Sequence, residues 1–355
     1  MKKVRIGVVG GNFGCSFYWH EHPNSVVTAC CDIREDRRQR MREVYKCDTL
    51  YAKFGELVAD KNVDAVAVFT PAPLHVWMSV QAMKAGKHVI SAVPAAMSLE
   101  ECEELLAAVK TTGMTYMMAE TSRYHPGVML ARDWYQQGKF GTIFYSESEY
   151  HHEGLIELFF DERGLPTWRH GFPPMHYPTH CTSMLLGVTG ERLTEVTCHG
   201  WGDGHEVLET NLYENPFWNE VAMFRTNQAH AMRVAVFWHV ASGGCERGQW
   251  FGDKLSLFDP TPAGQPAMVG YGVPNIRMER LDLPNFWERL PEPLRHPSGH
   301  EGSHTFLTHE FVDAVLNQRR PAVDIYEALA YTAPGIVAHQ SALKGGELLK
   351  VPVYG

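Results

Sequence analysis

The sequence predicts an α/β chain in two parts: a doubly wound parallel sheet at the N-terminal end, then an α+β domain on an open, mostly antiparallel sheet. Three observations predict it. Continuous apolar runs alternate with helical stretches over the first 120 residues. A glycine cluster, Gly10-Gly11-Asn12-Phe13-Gly14, follows the first run. Beyond residue 123 the apolar positions switch to period two.

Each element follows in order. Residues 4–9 are a β-branched strand that enters the glycines, after which a helix is expected. Residues 26–32 are a second strand and 34–44 a charged helix. "VDAVAVFT" (63–70) is a third strand, closed by Pro71 and Pro73, and 75–85 a helix ended by Gly86. Strands at 88–93 and 114–120 flank a helix at 99–110, which Ser98 and Glu101 open as a capping box. The turn after the strand at 88 carries Ser91, Ala92, Val93 and Pro94, and none of these readily moves a proton. "TIFYSESEYHH" (142–152) and parts of 193–200, 219–226 and 231–239 alternate as half-buried antiparallel strands. Residues 260–297, rich in proline, read as a loop excursion. Residues 304–317 and 326–344 read as helices, the second packing back near the first domain. The expected boundaries are 1–122 and 123–355, with no internal repeat.

Composition narrows the function. The 355 residues are 45% hydrophobic and 21% charged, ordinary for a soluble protein, and the net charge of −9 argues against nucleic acid or an anionic membrane as partner. No run approaches the roughly 18 apolar residues of a membrane span. "MKKVRIGVVGG" reads as a first strand rather than a leader, so a cytoplasmic location is expected. Eight cysteines without CxxC spacing read as reduced thiols. The 19 histidines and 9 tryptophans suit a site that stacks on sugar rings and moves protons near neutral pH.

Gly10, Gly11 and Gly14 would let the backbone turn tightly and approach a pyrophosphate. The spacing is one residue short of G-x-G-x-x-G, and a glycine turn without a ligand stays open. Asp32 ends the second strand 18 positions beyond Gly14, where an acid accepts hydrogen bonds from ribose hydroxyls. With Ile33 and Arg34 it forms the expected cofactor-binding end of that strand. A carboxylate there favours NAD over NADP, while Arg34 keeps NADP open.

Longer stretches carry a resemblance. "TPAPLHVWMSVQAMKAGKHV", "SRYHPGVMLARDW", "GSHTFLTHEFVDAV" and "AHQSALKGG" resemble the Gfo/Idh/MocA oxidoreductases over nearly the full length. The resemblance implies a Rossmann domain, a nicotinamide cofactor, a sugar or polyol substrate and homo-oligomer contacts through the C-terminal sheet. It also implies cofactor contacts at Asn12, Phe13, Thr70, Pro71, His75, Val93, Pro94 and Glu120. Two motifs depart from the family. Its Glu-Lys-Pro falls on Ala92-Val93-Pro94, so the lysine is missing, and its Asp-x-x-x-His falls on "HYPTH", so His176 replaces the aspartate and His180 remains. "VPAAMSLEEC", "YMMAE", "EYHHEG" and "YPTH" are similar to a subgroup of NAD-dependent glycosidases typified by α-N-acetylgalactosaminidase. Those enzymes oxidise the sugar at C3, lose the C2 proton, eliminate the aglycone, add water and return the hydride. Positions carried over are Glu120, Tyr150, Tyr177 and His180, whereas "CTSML" after His180 departs from the subgroup.

With the lysine gone, proton handling is expected to move to "MHYPTHCTS". His180 is the expected base and Tyr177 a hydrogen-bond donor or acid, held on one segment by Pro178. His176 would bind substrate or stand in for the lysine as a cation at low pH. His176 and His180 have the spacing of a metal pair, with Glu149, His151 or His152 as third ligand, but Pro178 intervenes and no metal is expected. Tyr150, His152, Trp168 and Arg169 are the expected substrate contacts, and Tyr213–Glu220 a weaker sugar-loop candidate. Glu246, Arg247 and Trp250 read by default as a surface ion pair. A glycosidase that recycles its NAD and a non-catalytic paralogue are the competing readings.

Overall fold

The computed structural model describes residues 3–355, so Met1 and Lys2 of the expected first strand lie outside the described residues. The chain divides into two units: residues 1–124 with 285–329, and residues 125–284 with 330–355. The first boundary falls two residues beyond the expected one. The return of 285–329 to the first unit has no marker in the sequence, because the proline-rich stretch before it looks the same whichever unit it rejoins.

The first unit holds a six-stranded parallel sheet in the order β3-β2-β1-β4-β5-β6. The strands are β1 (Val4–Val9), β2 (Ser25–Cys31), β3 (Leu50–Tyr51), β4 (Ala65–Val68), β5 (His88–Ser91) and β6 (Tyr116–Met118). Their continuous apolar character follows from burial on both faces: Ile6, Val8, Val66, Val68, Val89 and Ile90 are all fully buried. Helices α1 (Glu35–Tyr45), α2 (Phe54–Ala59), α3 (His75–Lys84) and α4 (Leu99–Thr112) connect them. The expected capping box forms at α4, where the Glu101 N–H donates to Ser98 Oγ at 3.2 Å and Glu101 Oε2 accepts from the Met97 N–H at 2.7 Å. The helix expected after the glycines is reduced to one short turn, Phe13–Ser16. Aromatic packing replaces it: Phe17 stacks on Phe69 at 4.2 Å and on His304 at 4.8 Å.

The second unit is built on a nine-stranded sheet. Its strands are β7 (Ile143–His151), β8 (Leu193–Trp201), β9 (Asn219–Thr226), β10 (Ala231–Phe237), β11 (Cys245–Gly252), β12 (Leu255–Phe258), β13 (Met268–Tyr271), β14 (Arg277–Arg280) and β15 (Leu349–Lys350). The order is β14-β13-β12-β11-β7-β10-β9-β8-β15, and all neighbours are antiparallel except β7 and β10. The 260–297 stretch therefore contributes β13 and β14 rather than only a loop; its prolines lie outside the paired residues. Helices α5 (Pro126–Gln136) and α6 (Thr179–Thr189) cover one face, and α7 (Glu206–Glu209) is a single turn. Ser146 and Ser148 on that face are buried, while Glu147, Glu149, Arg233 and Arg247 line the other. Helix α8 (Ser303–Leu316) belongs to the first unit, and the division falls within α9 (Ile325–Leu343).

Candidate active site

In the first unit the glycine turn is shaped by contact. Gly10 sits at φ +97°, and a Cβ there would meet the Phe69 carbonyl oxygen at 2.2 Å, so only glycine fits. Asp32 is buried at the end of β2, where its Oδ2 accepts the Gly11 N–H at 2.7 Å and its Oδ1 the Arg34 N–H at 2.9 Å. Each oxygen keeps a second lone pair for a ribose hydroxyl. Ile33 beside it is 87% exposed, an apolar side chain offered outward. The Arg34 guanidinium pairs with Asp36 at 2.8 Å, which competes with any 2′-phosphate. These residues fit an NAD adenosine half.

The loops after β4 and β5 are tied together. The His75 ring nitrogens lie 2.9 Å from the Thr70 carbonyl oxygen and 2.8 Å from that of Pro94, so His75 braces the two loops from within. Pro71 opens a short turn before α3, and Val93 is half-buried ahead of Pro94. Ser91 Oγ is 2.7 Å from the Tyr116 hydroxyl, which leaves no proton-moving group on this turn. Glu120 is fully buried, with Oε1 accepting the Ser122 N–H at 2.9 Å. Phe13 meets His300 and His304 edge-on, and Asn12 precedes the short turn without a side-chain cap bond.

In the second unit the predicted histidine and tyrosines come together. His180 lies in the first turn of α6, its ring 4.6 Å from that of Tyr150 and 5.8 Å from that of Tyr177. Tyr150 in turn meets His152 and Trp238, each at 5.8 Å. Burial pushes the His152 imidazole below its ordinary pKa. Glu246 Oε1 lies 3.4 Å from His180 Nδ1 and 3.4 Å from His125 Nε2. Glu246 is thus not a surface residue, because β11 pairs it with Tyr150 and aims it at the covered face. Arg247, its neighbour, points the other way and pairs with Glu149 at 2.7 Å. Trp250 is core, its Nε1–H donating to the Met184 carbonyl at 2.8 Å.

The loop carrying Tyr177 is held from below. Glu220, fully buried, accepts the Met175 N–H at 2.8 Å through Oε2 and faces His339 Nδ1 at 2.9 Å through Oε1. In α9, a Cβ on Gly335 would meet the Met175 carbonyl oxygen at 2.0 Å.

His176 does not share a helix face with His180: it ends the short turn before α6, against Phe172 at 5.8 Å and His339 at 5.4 Å. Burial, with His339 adding to it, lowers its pKa to about 3, so it stays neutral where a lysine would be charged. The metal pair is accordingly not formed. Glu149, His151 and Cys245 do cluster, but both Glu149 oxygens are taken by Arg233 and Arg247.

The 213–220 loop is bonded to the segment that carries Trp168 and Gly171. The Tyr213 hydroxyl donates to the Trp168 carbonyl, and Asn215 Nδ2 donates to the carbonyls of Gly171 and Phe217. Trp168 packs edge-on against Phe172, which contacts Tyr177 at 5.0 Å, and the Arg169 guanidinium carbon lies 4.1 Å over the Trp168 ring.

His125, His339 and Trp238 are residues the sequence did not point to, and it gave Glu246 and Glu220 other roles, a surface ion pair and the end of a sugar loop. Each lies on a strand, cap or helix distant in sequence from the "HYPTH" motif, and no spacing rule connects them to it.

The six-stranded parallel sheet with its glycine turn is the fold of an NAD-binding oxidoreductase. Residues 4–120 match the Gfo/Idh/MocA model, described as an oxidoreductase family with an NAD-binding Rossmann fold. A glycosyl hydrolase family 109 protein of Solibacter usitatus is 26% identical, with 99% of this chain and 88% of that protein covered. An alpha-N-acetylgalactosaminidase of Tannerella forsythia is 22% identical, with 99% and 86% covered. Among solved structures, a levoglucosan dehydrogenase in complex with NADH and L-sorbose has the same fold, at a TM-score of 0.82 and 17% identity over 99% of this chain and 100% of that one.

Proposed function

We propose that this protein is an NAD(H)-dependent oxidoreductase acting on a secondary hydroxyl of a carbohydrate or polyol, with His180 as the acid/base. The observation that carries the reading is the clamp on His180, whose Nδ1 faces the Glu246 carboxylate while its ring lies against Tyr150. A secondary alcohol becomes a ketone by losing a hydride and a proton. When bound, NAD would supply the hydride acceptor, and the turn at Gly10–Gly14, Asp32 and Ile33 at the adenosine end, and the loops at Thr70–Pro71 and Val93–Pro94 would hold it. His180 Nε2 takes the hydroxyl proton, and Glu246 fixes the ring and stabilises the imidazolium that forms. The Tyr177 hydroxyl donates to a substrate oxygen, and Tyr150 with His152 lines the substrate wall.

A second reading is favoured by the family 109 relatives, whose likeness runs over 99% of this chain: a glycosidase that oxidises C3 transiently, eliminates the aglycone and re-reduces the ring. A panel of glycosides and free sugars in D₂O, followed at 340 nm and by NMR, separates the two. Accumulating NADH with a keto sugar supports the dehydrogenase. Released aglycone with deuterium at C2 and no net NADH overturns it in favour of the glycosidase.

Eight free cysteines support a reducing, cytoplasmic setting, and no helix among the described residues is long and apolar enough to cross a membrane. The open face of the nine-stranded sheet, where Trp201, Met223 and Met278 are exposed, is the surface we assign to a second copy of the chain.

A further inference from the structure

Arg169 stands apart from the other half-buried arginines of the second unit. Arg233 pairs with Glu147 at 2.8 Å and Glu149 at 2.6 Å, and Arg247 pairs with Glu149 at 2.7 Å. The Arg169 guanidinium has no carboxylate, carbonyl or hydroxyl acceptor among the described residues. Its Nε is shielded from solvent and unbonded, and the Trp168 ring lies against its guanidinium carbon at 4.1 Å. A partly desolvated cation without an acceptor is unfavourable, and native proteins keep one where a ligand completes it.

The location tells what kind of ligand. Trp168 contacts Phe172, and Phe172 contacts Tyr177, the donor in the proposed reaction. Burial dominates both neighbours, lowering His152 and raising Tyr213, and the charge of Arg169 adds a smaller contribution that favours the deprotonated form of each. His152 itself lies 5.8 Å from Tyr150. The guanidinium is thus joined to Tyr177 through the Trp168 and Phe172 rings.

We infer that Arg169 binds a carboxylate of the substrate, which makes the substrate class a sugar acid, such as a uronic acid or its glycoside, rather than a neutral sugar. Neutral hydroxyls would leave the half-buried charge uncompensated. A phosphate dianion would keep one charge unmatched by this single cation. A planar carboxylate matches both the charge and the two-pronged geometry of the guanidinium. This rests on the assignment of the His180 cluster as the substrate site.

The test uses the NAD-loaded protein with matched pairs: glucose and glucuronate, galactose and galacturonate, and their methyl glycosides. Turnover is followed by NADH and by product NMR, and binding by ligand-observed saturation-transfer NMR. The expected result is a kcat/KM for the acid at least about tenfold above that of its neutral partner. In Arg169→Gln that ratio should fall toward one, with Arg169→Lys in between. Neutral sugars turned over as well as or better than the acids overturn the inference while leaving the oxidoreductase reading intact. Acids that bind in preference to neutral sugars but are neither oxidised nor cleaved support Arg169 and overturn the proposed reaction. Absence of both binding and turnover across the panel overturns both. Should Arg169→Gln fail to fold, the wild-type ratio decides alone.

Discussion

Glu246 Oε1 and His180 Nδ1 lie 3.4 Å apart, one on β11 and the other on α6. The pairing returns a carboxylate to a histidine whose motif neighbour, at position 176, is itself a histidine. Glu246→Gln should lower kcat by about 10- to 100-fold while leaving NAD affinity unchanged. A nearby carboxylate favours the protonated imidazole, so its removal should also move the acid limb of the kcat/KM profile to lower pH. An unchanged limb would mean that Glu246 does not touch the working ionisation.

Asp32 holds the turn together as well as facing outward, through its bonds to the Gly11 and Arg34 N–H groups. Asp32→Ala should weaken NAD binding by about ten- to a hundredfold, the loss of one or two charge-assisted hydrogen bonds. The preference for NAD over NADP should shrink at the same time. Titration of each cofactor by protein fluorescence reads both.

Gly335 lets α9 approach the Met175 carbonyl. Gly335→Ala should destabilise the fold by about 1–3 kcal/mol through overpacking and disturb the segment carrying Tyr177 and His180. The expected signature is a lower thermal midpoint together with a lower kcat in the protein that remains folded. A kcat unchanged at low temperature would detach this glycine from the active loop.

His304 and His22 are buried and held down to about pKa 4, His304 by burial and His300, His22 by burial and His309. Both stay neutral in the folded state, whereas in the unfolded chain they take up protons below about 6.5. Stability contributed by these groups is therefore full above pH 6.5 and is lost as pH falls toward 4, on the order of 3 kcal/mol apiece. Urea midpoints between pH 7 and 4.5 should show that slope, and His304→Gln should flatten it.

The sequence made the parallel sheet legible because its strands are buried on both faces and read as unbroken apolar runs. The glycine turn and Asp32 were legible in local motifs, whereas Tyr150, Tyr177 and His180 were named through the resemblance, and the fold brings their three rings together. The missing helix after Gly14 was not, because the aromatic packing of Phe13 and Phe17 on Phe69 and His304 involves residues up to 291 positions apart. Strand β11 was missed for a similar reason. "CERGQWFG" has two glycines and two charges, and only its neighbours β7 and β12 make it a strand. With β11 unread, Glu246 looked like half of a surface ion pair.

Because neighbouring side chains on β11 face opposite ways, Glu246 and Arg247 occupy sites of opposite sign separated by a single step along the chain. A slip of one residue in this strand would bring a cation to the imidazole and reverse the electrostatics of the reaction. The two-residue connection between Gly252 and Leu255 is what prevents the slip. Insertions and deletions there should be purged over evolutionary time as firmly as changes to the histidine itself, although the two connecting residues, Asp253 and Lys254, lie outside the cluster around it.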